Sequence, residues 1–129
     1  MEIQDVIKEL QKIQQMRDLD AEKYAVQDGW ADLVAQQSGI KPTQMRKIFH
    51  YIKDLKLKVQ RDEKAFTKAK MAMLMPMLAY ARGRNHIKDD FYQILSICFG
   101  PQKCSTAQDF VEAASFLEAI MAYHKYYSK

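Results

Sequence analysis

Glycine and proline are scarce in this chain of 129 residues, which has only four of one and three of the other. So few turn-formers leave little room for the tight hairpins of an antiparallel sheet. Lys, Glu, Gln, Ala, Leu and Met, which favour helix, abound instead, so an all-β fold is excluded. Cysteine is nearly absent. Cys98 and Cys104 fit neither a CxxC redox pair nor a zinc pattern, and they read as reduced thiols in a reducing compartment. A chain of this length buries about two-thirds of its unfolded surface, so it needs no disulfide framework or structural metal. Long apolar runs are missing too: the longest, residues 71–81, is interrupted by Pro76 and falls short of the roughly 20 residues that cross a bilayer. The opening Met1-Glu2-Ile3-Gln4-Asp5 is polar and acidic, unlike a secretory signal. The expectation is one cytoplasmic domain over residues 1–129, without a membrane partner.

Catalytic signatures are lacking as well. No HExxH, Gly-x-Ser-x-Gly or P-loop surrounds His50, His86 or His124, and these fall on separate predicted elements. His124 and Lys125 could in principle act on a ribose 2′-hydroxyl, but neighbours on a helix point about 100° apart. Asp89-Asp90 opens a predicted helix and is read as compensating its dipole rather than as a metal site. Met71, Met73, Met75 and Met77 would align as thioether ligands only on an extended segment. The flanking period is helical, which scatters them around an axis and favours core packing. Neither an enzyme nor a cofactor is expected.

What the chain does have is charge sorted by position. Residues 1–40 carry four basic and eight acidic side chains, residues 41–88 thirteen and three, and residues 89–129 three and five. The central stretch is therefore +10 between flanks of −4 and −2. Concentrating like charge in a small domain costs self-repulsion, which an anionic partner such as a sugar-phosphate strand would offset. The alternative is a solvated lysine-rich face.

Hydrophobic periodicity predicts helices throughout. Ile3, Val6, Ile7, Leu10 and Ile13 give an amphipathic helix over residues 2 to about 17, whereas residues 18–28 are polar and ambiguous. Trp30, Leu33 and Val34 share a face of a short helix that Ser38-Gly39 ends. Pro42-Thr43 opens the next, with Thr43 as the expected cap and Met45, Ile48, Phe49, Ile52, Leu55 and Val59 inward. Opposite them fall Arg46, His50, Lys53 and Arg61, flanked by Lys47 and Lys58: a basic ridge. A helix from about Glu63 to Ala81 is expected to bury Phe66, Ala69, Met73, Met77 and Tyr80, to kink at Pro76 and to end at Arg82-Gly83-Arg84. Another, from Lys88 to about Phe99, buries Phe91, Ile94, Leu95 and Cys98. The last starts at a Thr106–Asp109 capping box and buries Phe110, Ala114, Leu117, Ile120 and Met121 on its way to Tyr127. These elements make an all-α, single-domain bundle of five to six helices.

Two terminal clusters have anion-binding chemistry. The guanidinium forks of Arg82 and Arg84 suit phosphate oxygens, or else bond the carbonyls that end their helix. In Tyr123-His124-Lys125-Tyr126-Tyr127 the tyrosines at 123 and 127 are expected to pack, leaving Lys125 for an anionic contact.

Three motifs, Lys41-Pro-Thr-Gln-Met-Arg-Lys47, Leu78-Ala-Tyr-Ala-Arg-Gly-Arg84, and Asp109-Phe110 with Glu118 and Ala122 through Tyr127, occur in order. Together they resemble the small helical subunit of the type III-A CRISPR Csm effector complex, over most of the chain from residue 41 onward. The resemblance implies a non-catalytic all-helical subunit for antiviral defence, repeated as an inner filament along guide and target RNA, with target cleavage left to a neighbouring subunit. It further implies RNA-backbone contacts at Lys41, Arg46, Lys47, Arg82, Arg84 and Lys125. Lys53 joins them from its helical face alone. Implied partners are the guide and target RNA and other Csm subunits, with self-association, as a homodimer when isolated, through surfaces that neighbours would cover. A helical adaptor that touches only proteins is the competing reading.

Overall fold

In a computed structural model the described residues are 1–128, with the side chains of Pro42 and Gln44 outside the description. Seven α-helices are present among them: α1 Ile3–Lys12, α2 Ala21–Tyr24, α3 Trp30–Gln37, α4 Pro42–Arg61, α5 Lys68–Gly83, α6 Asp89–Phe99 and α7 Ala107–Tyr127. The described residues contain no strand, so the fold is all-α, with one helix more than the upper count expected. The addition is α2. It forms in the ambiguous polar stretch because the Asp20 carboxylate accepts from the Glu22 amide at 2.9 Å, and because Tyr24 is buried edge-on against Phe116 with its hydroxyl donating to Glu112.

The core runs through all the helices. α7 lies along α3 on one side and α4 on the other, and its Phe110, Ala113, Ala114, Phe116, Leu117 and Ile120 are all buried. α6 buries Phe91, Ile94, Leu95 and Cys98 as its period predicts, adds Phe99, and packs on α1 and α5. Gly39, at φ +63°, ends the α3 segment in the left-handed conformation that glycine adopts without strain.

Three boundaries differ from the sequence expectation, each for a tertiary or capping reason. α1 stops at Lys12 instead of about 17, because the Lys103 ammonium donates to the carbonyls of Gln11 and Ile13, and the Met16 amide donates to the Lys103 carbonyl at 2.9 Å. α4 is not capped by Thr43. Lys41 is its N-cap without a side-chain bond, and Pro42 at the first helical position puts Thr43 inside the turn. α5 begins at Lys68, not Glu63, because Asp62 caps a separate 3-10 turn at Glu63–Ala65 and Thr67 then accepts from the Lys70 amide at 3.2 Å.

The inward face of α5 also differs. Met71, Leu74, Leu78 and Ala81 are buried, whereas Ala69, Met73 and Tyr80 are exposed and Met77 is half-buried. Phe66 lies ahead of the helix and packs on Phe110 with ring centroids 6.1 Å apart. Apolar residues surround this helix on all sides, so two stripes compete and packing decides between them. Pro76 sits on its solvent side.

Two carboxylates are fully buried. Asp109 accepts from the amides of Arg17, Ser105 and Thr106 at 2.9 to 3.0 Å and is paired with the Arg17 guanidinium at 3.2 Å. Asp32 accepts from the Asp28 amide at 2.8 Å, from Gln36 at 3.0 Å and from the Tyr127 hydroxyl. Burial alone would raise both acids, but the hydrogen bonds outweigh it and hold each below 3.8. Stability from these groups is thus present above pH 3.8 and lost as pH falls through their depressed folded values. Urea unfolding should show a midpoint that is steady from pH 7 to about 5 and drops below pH 4, with the drop reduced in Asp109→Asn. An acid response unchanged by that substitution would contradict the assignment.

Candidate nucleic-acid interface

α4 is 20 residues long, which at about 1.5 Å per residue makes a rod of about 30 Å. Its sequence splits cleanly by face. Met45, Ile48, Ile52, Leu55 and Val59 are buried and Phe49 is half-buried, while Arg46, Lys47, His50, Lys53, Lys58 and Arg61 are exposed. Leu57 lies within this ridge, 48% exposed.

Neutralisation by neighbours decides whether the ridge remains cationic. Among the described residues the ion pairs are Lys12–Glu9, Arg17–Asp109, Lys56–Glu118 and Arg82–Asp89. Only Lys56 and Arg82 come from the +10 stretch. Arg46, Lys47, Lys53, Lys58 and Arg61 make no ion pair there, so the acidic flanks leave the outer face of α4 cationic, with exposed Asp54 as the acid that stands on it.

At the end of α5 the two arginines are treated differently. Arg82 Nε donates to Asp89 Oδ1 at 3.0 Å, and this pairing, together with the amide of Gln93, holds Asp89 below its ordinary carboxylate range. Arg82 is thus engaged by the acid that opens α6, not by the carbonyls ending its own helix. The Arg84 guanidinium lies over the Tyr80 ring at 6.0 Å. The left-handed residue of this turn is Asn85, at φ +61°, and Gly83 stays helical, so the turn does not depend on the glycine. His86 follows, its ring edge-on to Tyr80 with centroids 6.2 Å apart.

Several of these side chains converge. Lys47 and Ile48 of α4, Met77 and Tyr80 of α5, and His86 line one groove of about 450 Å³. Lys41, at the N-cap of α4, is exposed, and close by the stem of Lys88 crosses Gly39, where an added Cβ would meet its Cε at 2.7 Å. Lys53 stands along α4 from Lys47, on the ridge. Lys125 is set apart: it is exposed on the last turn of α7, where the Tyr123 hydroxyl donates to the Ala25 carbonyl at 2.6 Å and Tyr127 is bonded to Asp32 of α3. Six of the seven expected positions therefore lie on α4 or at the end of α5, with Lys125 on another element. Sequence reading missed Tyr80 and Lys88. Assigned to the core, Tyr80 is 61% exposed.

Other chemistry finds less support. Among the described residues no His, Cys, Asp and Glu side chains cluster in a way that could hold a metal. Met71 is buried, Met73 exposed, and Met75 and Met77 half-buried around the α5 axis. Cys98 and Cys104 are buried free thiols: burial pushes Cys98 well above the usual range, and burial with the Asp109 charge pushes Cys104 up to about 12. No helix among the described residues is long and apolar enough to cross a membrane.

The sequence model of the family described as Csm2 Type III-A matches residues 13–129. The chain belongs to the Csm2 family. The match begins at the C-cap of α1 and so takes in the acidic segment before residue 41, which adds little to the motif resemblance. Membership makes this Csm2-family chain a structural small subunit of a type III-A CRISPR Csm complex, with other Csm subunits as its partners. Comparisons with curated proteins and with solved structures gave no match.

Proposed function

We propose that this Csm2-family subunit is non-catalytic and binds RNA, gripping the sugar-phosphate backbones of guide and target strands with the outer face of α4 and the Arg82–Arg84 turn, in several copies along the ribonucleoprotein. The observation that carries this reading is the set of five exposed cations on α4, Arg46, Lys47, Lys53, Lys58 and Arg61, left without ion pairs among the described residues. A ridge of point charges and guanidinium forks in which Asp54 is the one exposed carboxylate contacts phosphate and carries no base code. The binding expected is salt-sensitive and indifferent to sequence.

Filter binding of the chain to single-stranded RNAs of unrelated sequence tests this. Log affinity should fall linearly with log salt, by about 0.7 for each phosphate contacted, and sequences should differ by less than about threefold. Affinity independent of salt would contradict the proposal. Capture of other Csm subunits that persists after nuclease digestion, with no measurable RNA affinity, would establish the protein-only adaptor instead.

A further inference from the structure

We infer that the groove between α4 and the end of α5 receives an unstacked nucleobase of single-stranded RNA on the Tyr80 ring; this rests on the RNA-binding reading above. Tyr80 is 61% exposed although it stands among apolar neighbours, and a large aromatic left outside the core at a concave site provides contact area that the fold itself does not use. Ile48 and Met77 supply an apolar floor, while Lys47, Arg84 and His86 surround the ring with donors and positive charge. An apolar protein side chain would have no use for that rim. A nucleotide matches both parts: every base has a π-face to lay on tyrosine, and the phosphates on either side of it meet Lys47 and Arg84. The Arg84 guanidinium, 6.0 Å from the ring centroid, is at the outer limit of a cation–π contact, so it can turn toward a phosphate at little cost.

The Tyr80 face continues along α5. Met73, 63% exposed, and Pro76 stand two turns and one turn before Tyr80 on the same side of the helix, so an apolar track runs beside the cationic ridge of α4. Backbone held by α4 and a base turned toward α5 is the arrangement this geometry supports. Stacking of this kind tolerates any base, in keeping with a site that has no hydrogen-bonding code.

The test compares wild type, Tyr80→Ala and Tyr80→Phe on two oligomers of equal length, oligouridine and an abasic ribose-phosphate strand. Because Tyr80 is exposed, neither substitution should alter the helical circular dichroism or the unfolding midpoint. Tyr80→Ala should weaken oligouridine binding about tenfold, Tyr80→Phe should stay within about twofold of wild type, and the salt slope should not change in either. Abasic binding should be the same in all three proteins. An alanine variant that binds oligouridine like wild type, or that loses the abasic strand equally, would overturn the base pocket while leaving the backbone grip standing. Failure of wild type to bind either strand would instead remove the RNA reading on which the pocket rests.

Discussion

Reversing Arg46, Lys47 and Lys53 to glutamate together should lower the affinity for single-stranded RNA by about a hundredfold at about 0.1 M salt. Each loses an exposed phosphate contact worth about 1 kcal/mol, and three such losses before added repulsion make a factor of that size. The slope of log affinity on log salt should shallow by about 2. The fold should tolerate the change, since all three side chains are exposed and none makes an ion pair among the described residues. The control is Lys8, Lys12 and Lys23, reversed in the same way on the acidic N-terminal third, where the expected loss is less than about threefold. Equal losses in the two variants would mean that net charge, not the α4 ridge, controls binding.

The second large effect is on stability. Asp109→Ala should destabilise the chain by about 3 to 5 kcal/mol, a substantial part of the 5 to 15 kcal/mol typical of a domain. The carboxylate accepts from three backbone amides, those of Arg17, Ser105 and Thr106, and from the Arg17 guanidinium. Alanine leaves those donors without their acceptor and also breaks the capping box that starts α7. Because Arg17 belongs to the 3-10 turn after α1, the same change unties the N-terminal segment from α7. The urea midpoint measures it, with the denaturant slope checked for constancy. A loss under about 1 kcal/mol would show that the network contributes little.

These two residue sets differ in how far the sequence reveals them. The α4 face was fully legible, because its apolar and cationic residues alternate with helical period and leave one solution for which side is buried. The Thr106–Asp109 box was legible from its three-residue spacing; its second role was not, because the Arg17 amide comes from 92 residues away. The same distance hides the end of α1, where the decisive donor is Lys103. In α5 the failure is local: Met, Ala and Leu on every side give no polar face to set the register, and helical period places Tyr80 in the core although it is exposed. The pairing of Arg82 is hidden because its partner Asp89 lies across a turn of left-handed geometry at Asn85, outside any helical spacing rule. The convergence of Lys47, Tyr80 and His86 belongs to the packing of α4 on α5, which periodicity within one helix does not contain.

The most direct measurement of the backbone grip is lysine-reactivity footprinting of the chain with and without bound single-stranded RNA, each lysine read by mass spectrometry. Protection at Lys47, Lys53 and Lys58 on α4, with Lys8, Lys12 and Lys23 as reactive as in the unbound chain, is the pattern the account predicts. Uniform protection, or protection of the N-terminal lysines while those of α4 stay reactive, would contradict it.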